Sequence, residues 1–119
     1  MQLKMSTRTV KGDVLVVDCE GRIIFGEESA DLRDTVKMLI GQSNKIVLNL
    51  AGVTYIDSGG LGTLVALYTT SHNAGSAIKL CNLTQRVGDL LAVTKLLTIF
   101  EVYDSEEKAV DAFLQNAAA

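Results

Sequence analysis

Apolar residues follow two periods along this chain, and the switching between them outlines an architecture. Lys45 to Leu50 is almost wholly apolar, the pattern of a strand buried on both faces of a sheet. Upstream, Thr7 to Lys11 and Val14 to Cys19 read as strands flanking Gly12-Asp13, a dipeptide suited to the positive φ of a tight hairpin turn. The chain is therefore expected to open with an antiparallel pair. After a short apolar piece, Arg22 to Phe25, Gly26 breaks the run and Glu27-Glu28-Ser29 begin a helix whose acidic start suits the peptide dipole. Leu32, Val36, Leu39 and Ile40 recur at i, i+4, i+7 and i+8, one face of a helix that Gly41 can end.

The apolar run from Lys45 leads through Val53-Thr54-Tyr55-Ile56 into a helix predicted over 58–73. Leu61, Leu64, Val65 and Tyr68 form its inward stripe, and Gly75 sits where a left-handed terminator belongs. Ser76 to Asn82 reads as the next strand. Val87, Leu90, Leu91 and Val93 to Leu97 make a third helix with its exit, and Ile99 to Tyr103 a last strand. Asp104 to Gln115 is a terminal helix, with Asp104 and Glu107 as a capping box and Ala109, Val110, Phe113 and Leu114 as its buried stripe. Three successive strand–helix–strand connections imply right-handed crossovers and parallel pairing. The expectation is an α/β fold, one domain over residues 1–119, with residues 1–6 and 116–119 frayed.

Composition narrows the function classes. In 119 residues, 48% hydrophobic content is enough for one core. A net charge of −3, with scattered lysines and arginines, argues against nucleic-acid binding, which relies on clustered cations. No apolar run reaches membrane-spanning length and the N-terminus lacks an export pattern, so a bacterial cytoplasm is expected. Cys19 and Cys81 are isolated and read as small buried hydrophobes. With two distant cysteines and the single His72, neither a metal site nor a cofactor is expected.

The residues that carry chemistry are Asp57-Ser58-Gly59-Gly60-Leu61-Gly62, where the buried strand meets the second helix. Asp57 fits the N-cap, accepting a first-turn N–H, which leaves Ser58 as the first helical residue with its hydroxyl outward. The unsatisfied N–H groups and partial positive charge of a helix start make this a favourable place for a phosphate. Asp and Ser are also ordinary capping residues, so the string alone does not separate a switch from a cap. A Ser–His catalytic pair is excluded because His72 lies fourteen residues along the same predicted helix, roughly 21 Å away at 1.5 Å per residue. The string lacks the first glycine of a G-x-S-x-G elbow and the Lys-Ser/Thr of a phosphate loop. Asp18, Glu20, Glu27, Glu28 and Asp31 read as solvated capping charge around a helix start rather than an acid–base pair. An enzyme is not expected.

The same string, following its apolar strand, resembles the D-S-x-G-L-G signature of STAS domains, above all the single-domain anti-sigma-factor antagonists; the resemblance extends from about residue 8 to 115. It implies a mixed sheet, N-terminal strands antiparallel and the rest parallel, with about four helices packed mainly on one face. It also implies that a partner kinase phosphorylates Ser58. Asp57, Ser58, Gly59, Gly60, Leu61, Gly62 and Val65 are the partner-binding candidates. The implied partners are an anti-sigma factor that is also a serine kinase, and a phosphatase. Two positions depart from the family pattern. Ile24 stands where relatives commonly carry an acidic residue near the serine, with Glu27 or Glu28 as substitutes, and Lys95 stands where many have glycine. Two alternatives stay open: a STAS interaction subunit of a sensory or lipid-transport assembly that is never phosphorylated, and a nucleotide or small-ligand binder using Gly59 and Gly60.

Overall fold

The computed structural model describes residues 3–118. Strands β1 (Lys4–Val10) and β2 (Val14–Ile23) form the antiparallel opening pair. Gly12 and Asp13 carry φ of 71° and 60° at the turn between them, as the sequence predicts. Next come helix α1 (Glu27–Ile40), strand β3 (Lys45–Ile56), helix α2 (Ser58–Asn73), strand β4 (Ala77–Cys81), helix α3 (Gln85–Val93), a single 3-10 turn, strand β5 (Glu101–Tyr103) and helix α4 (Glu106–Ala118). The sheet order is β1-β2-β3-β4-β5, parallel from β2 onward. The fold is the expected mixed α/β sheet.

Because successive strand side chains point to opposite faces, β2 divides its apolar residues between two cores. Leu15 and Val17 join Ile46, Leu48 and Leu50 of β3 under α1, α2 and α3, which contribute Leu32, Val36, Leu39, Leu64, Leu67, Val87 and Leu91. Val14 and Val16 face the other way, with Val47 and Cys81, against Ala109, Val110 and Phe113 of α4. Three helices thus cover one face and one covers the other, which is why β3 reads as a continuous apolar run. The two thiols are free and buried, Cys19 in the first core and Cys81 in the second; burial pushes their pKa up to about 12 and about 11, leaving both unreactive.

Two charged contacts fasten α4 and the sheet edges. Lys79 is only 2% exposed; its ammonium donates to Glu101 at 2.8 Å across the β4–β5 register and lies 4.7 Å from the Phe113 ring. Its hydrogen bond holds the Glu101 carboxyl below the usual carboxylate range. Arg8 bridges β1, β2 and α4, contacting Asp18 at 2.6 and 2.9 Å and Glu106 at 2.6 Å. Asp18 on β2, opposite Ser6 and diagonal to Arg8, is therefore an ion-pair partner on the sheet rather than solvated charge near a helix start.

Of the ends expected to fray, Met1, Gln2 and Ala119 lie outside the described residues, while Leu3 is buried, Lys4 to Ser6 pair with β2 and α4 runs to Ala118. The structure corrects two further expectations. The cap of α4 is Ser105, whose Oγ accepts the Lys108 N–H at 3.2 Å, rather than Asp104. The inward line of α2 is Gly60, Leu64, Leu67 and Ser71, with Leu61 and Tyr68 beside it and Val65 only half-buried.

Lys95 ends α3 in the left-handed region at φ 63°, which accounts for its position being suited to glycine. Lys95→Gly relieves a steric cost while adding unfolded-state entropy. The net expectation is a gain of about 0.5 kcal/mol, read as a higher urea midpoint at unchanged slope.

Candidate functional site

The β2–β3 pairing ends at Ile23 and Ile56, and both chains leave the sheet together. Asp57 follows in extended conformation and caps α2, its carboxylate accepting the Gly60 N–H at 2.8 Å. The same carboxylate accepts the Phe25 N–H at 3.1 and 3.0 Å, while the Asp57 N–H donates to the Ile23 carbonyl at 3.3 Å. One side chain therefore ties the helix start to the loop after β2. The amide of Phe25 first, and that of Gly60 next, hold the Asp57 carboxyl below the usual carboxylate range.

The glycines divide their roles here. A Cβ on Gly60 would overlap the Ile23 carbonyl oxygen, so only glycine lets the first turn of α2 lie this close to the loop. Gly60 is buried and faces inward, which corrects its assignment to the partner surface. A Cβ on Gly59 would come within 2.6 Å of the Phe25 Cβ, whereas Gly62 is exposed with open space above it. Leu61 and Val65 are half-buried.

Ser58 is the first residue of α2, exposed, and its hydroxyl has no hydrogen-bond partner among the described residues. Ser58 and His72 occupy opposite ends of the helix, as expected. Around Ser58 the surface is more apolar than the sequence indicates. On one flank, Tyr55, Leu61, Leu90 and Val93 line a groove of about 440 Å³ between the start of α2 and α3, with Arg86 on its wall. On the other, Phe25 stands 81% exposed beside a second groove with Ala30, Arg33, Gly62 and Ala66. Ile24, in the position where relatives carry an acid, is half-buried and its carbonyl accepts the Ser29 hydroxyl and amide. Glu27 and Glu28 begin α1 and line neither groove. Phe25, Tyr55, Arg86, Leu90 and Val93 line the surface beside Ser58 and are candidates that sequence reasoning missed. The one available signal is that Val93 falls off the Val87–Leu91 stripe; it is 80% exposed.

Comparison with known proteins assigns the chain to a family. A family profile described as STAS domain matches residues 5–109. The chain belongs to the STAS domain family. Within that family it is 32% identical over 93 residues to the anti-sigma F factor antagonist of Paenibacillus polymyxa, covering 73% of this chain and 80% of that protein. Its fold superposes on the crystal structure of an anti-sigma factor antagonist from Mycobacterium paratuberculosis with a TM-score of 0.80, at 21% identity and 93% coverage of each chain. It also superposes on the phosphorylated form of the Bacillus cell fate determinant SpoIIAA, with a TM-score of 0.70 at 17% identity, covering 92% of this chain and 99% of that one.

Two predictions follow from the geometry of this STAS domain. Gly60→Ala drives a methyl into backbone and should cost about 2–3 kcal/mol, whereas Gly62→Ala should gain about 0.5–1 kcal/mol from helix propensity; paired denaturant titrations check both. The Asp57 cap, its carboxyl pKa depressed on folding, stabilises fully above the ordinary carboxylate range and is lost as pH falls through the depressed value. Urea midpoints measured from pH 7 downward should therefore fall below about pH 4, and fall less in Asp57→Asn, which keeps a cap without the charge.

Proposed function

We propose that this protein is an anti-sigma-factor antagonist switched at Ser58. Unphosphorylated, it binds an anti-sigma factor that is also its serine kinase; phosphorylated, it is released, and a phosphatase resets it. The single observation that carries the reading is an exposed hydroxyl, unbonded among the described residues, at the start of a 16-residue helix, on the lining of one apolar groove and next to Gly59, which lines a second. A helix start tolerates a phosphate dianion, because its free N–H groups and partial charge favour anions. Phosphoserine adds about −1.5 to −2 charges. Placed on a partner-facing apolar surface, that charge meets desolvation and like-charge costs of several kcal/mol, enough to abolish a complex. The names of the relatives support the partner class, and SpoIIAA, a protein of this fold, has a phosphorylated form, which supports the modification.

On this reading the chain is one domain over residues 1–119, acts in the cytoplasm and is not an enzyme. Asp57 positions the helix start, while Ser58, Gly59, Leu61, Gly62 and Val65 contribute to the contact surface, extended by Phe25 and the α2–α3 groove. One observation favours a second reading. The apolar, half-buried Ile24 removes the acidic neighbour common beside the modified serine, which suits an interaction subunit of a larger sensory or lipid-transport assembly that never cycles through phosphate.

The test is complex formation with the cognate anti-sigma factor. Ser58→Ala should bind as tightly as unmodified protein and resist release by ATP, while Ser58→Asp should bind at least about tenfold more weakly, about 1.4 kcal/mol. Equal binding by all three contradicts the switch. Mass spectrometry of protein from its native host separates the two readings, since a subunit that never cycles carries no phosphate on Ser58 in any growth condition.

A further inference from the structure

Arg86 sits in the first turn of α3 and makes no ion pair with any carboxylate among the described residues. Its guanidinium lies 5.3 Å from the centroid of the Tyr55 ring, on the wall of the groove that Ser58 also lines. Asp89, one turn further along α3, faces the same groove and does not neutralise it. A groove of about 440 Å³ is on the order of 8 Å on a side, within the sweep of one arginine side chain. The cation is held only by an aromatic face, a weak contact at an exposed site. A phosphate dianion offers the planar fork a bidentate, charge-assisted partner, which is stronger than stacking or a single exposed carboxylate.

We propose that Arg86 is the cis counter-ion of phosphorylated Ser58, swinging from the Tyr55 ring to bridge the mouth of the α2–α3 groove. The proposal rests on Ser58 being the modified residue and deepens that reading. Phosphorylation then both charges the docking surface and closes one of its two apolar grooves over Leu61, Leu90 and Val93. Of the charged groups lining the groove with Ser58, Asp57 at the cap and Asp89 on α3 oppose the phosphate, and Arg86 is the one cation among these described residues. Arg33 lies on the opposite flank, 3.7 Å from Asp34.

The experiment installs phosphoserine at position 58 during translation and follows the phosphate by ³¹P NMR titration, in otherwise native protein and in Arg86→Gln, Arg86→Lys and Arg33→Gln. The second phosphate pKa, ordinarily near 6, should be lower by about 0.5–1 unit in native protein than in Arg86→Gln, with Arg86→Lys intermediate and Arg33→Gln unchanged. Amide spectra verify that each variant is folded; Arg86 is exposed, and Arg86→Lys keeps the charge if Arg86→Gln is perturbed. Coincident titrations of native protein, Arg86→Gln and Arg86→Lys overturn the proposal, as does an equal rise in Arg33→Gln. Because the phosphate is installed without a kinase, this result is independent of whether a partner modifies Ser58 or responds to it.

Discussion

The carboxylate of Asp57 is the constraint on which the site depends. It accepts N–H groups from Gly60 inside α2 and from Phe25 in the loop after β2, two segments more than thirty residues apart in sequence. An N-cap ordinarily satisfies donors within its own helix. Here the cap is also a clasp, and the missing side chain of Gly60 lets the two backbones close together. With the cap filled by residue 57, the hydroxyl at 58 is left outward at the start of α2.

That arrangement separates the site from the fold. Ser58 contributes to neither apolar core, and its hydroxyl holds nothing together among the described residues. The sheet is secured elsewhere, by three helices on one face, by α4 on the other, and by Lys79 and Arg8 at the edges. A charge added at the start of α2 therefore changes what the surface presents while the core contacts stay as they are. Under the proposed function, the partner senses phosphorylation through an altered groove and an altered charge, and the domain does not unfold to report it.

Much of this was readable from spacing. The bounds of α2 followed from Asp57 and the break at Gly75, because capping is local chemistry within a few residues. The parallel sheet followed from the strand–helix alternation and the doubly apolar Lys45–Leu50. What stayed hidden is what depends on a neighbour in space. Gly60 looks like an open tip residue until the Ile23 carbonyl is placed beside it. Lys79 looks like an interruption in a strand until Glu101 and Phe113 enclose it. Arg86 and Val93 belong to a helix that sequence cannot dock next to Ser58. The choice between Asp104 and Ser105 as the cap of α4 is a one-residue question that propensity does not resolve.

The most direct measurement is amide hydrogen exchange of Phe25 and Gly60, compared between unmodified protein and protein carrying phosphoserine at position 58. If Asp57 clasps both segments and the modification acts on the surface alone, both amides are protected well above loop rates in each form, with core amides of β3 unchanged. Exchange of Phe25 at the rate of an open loop in the unmodified protein, or loss of Gly60 and β3 protection on phosphorylation, would contradict the account.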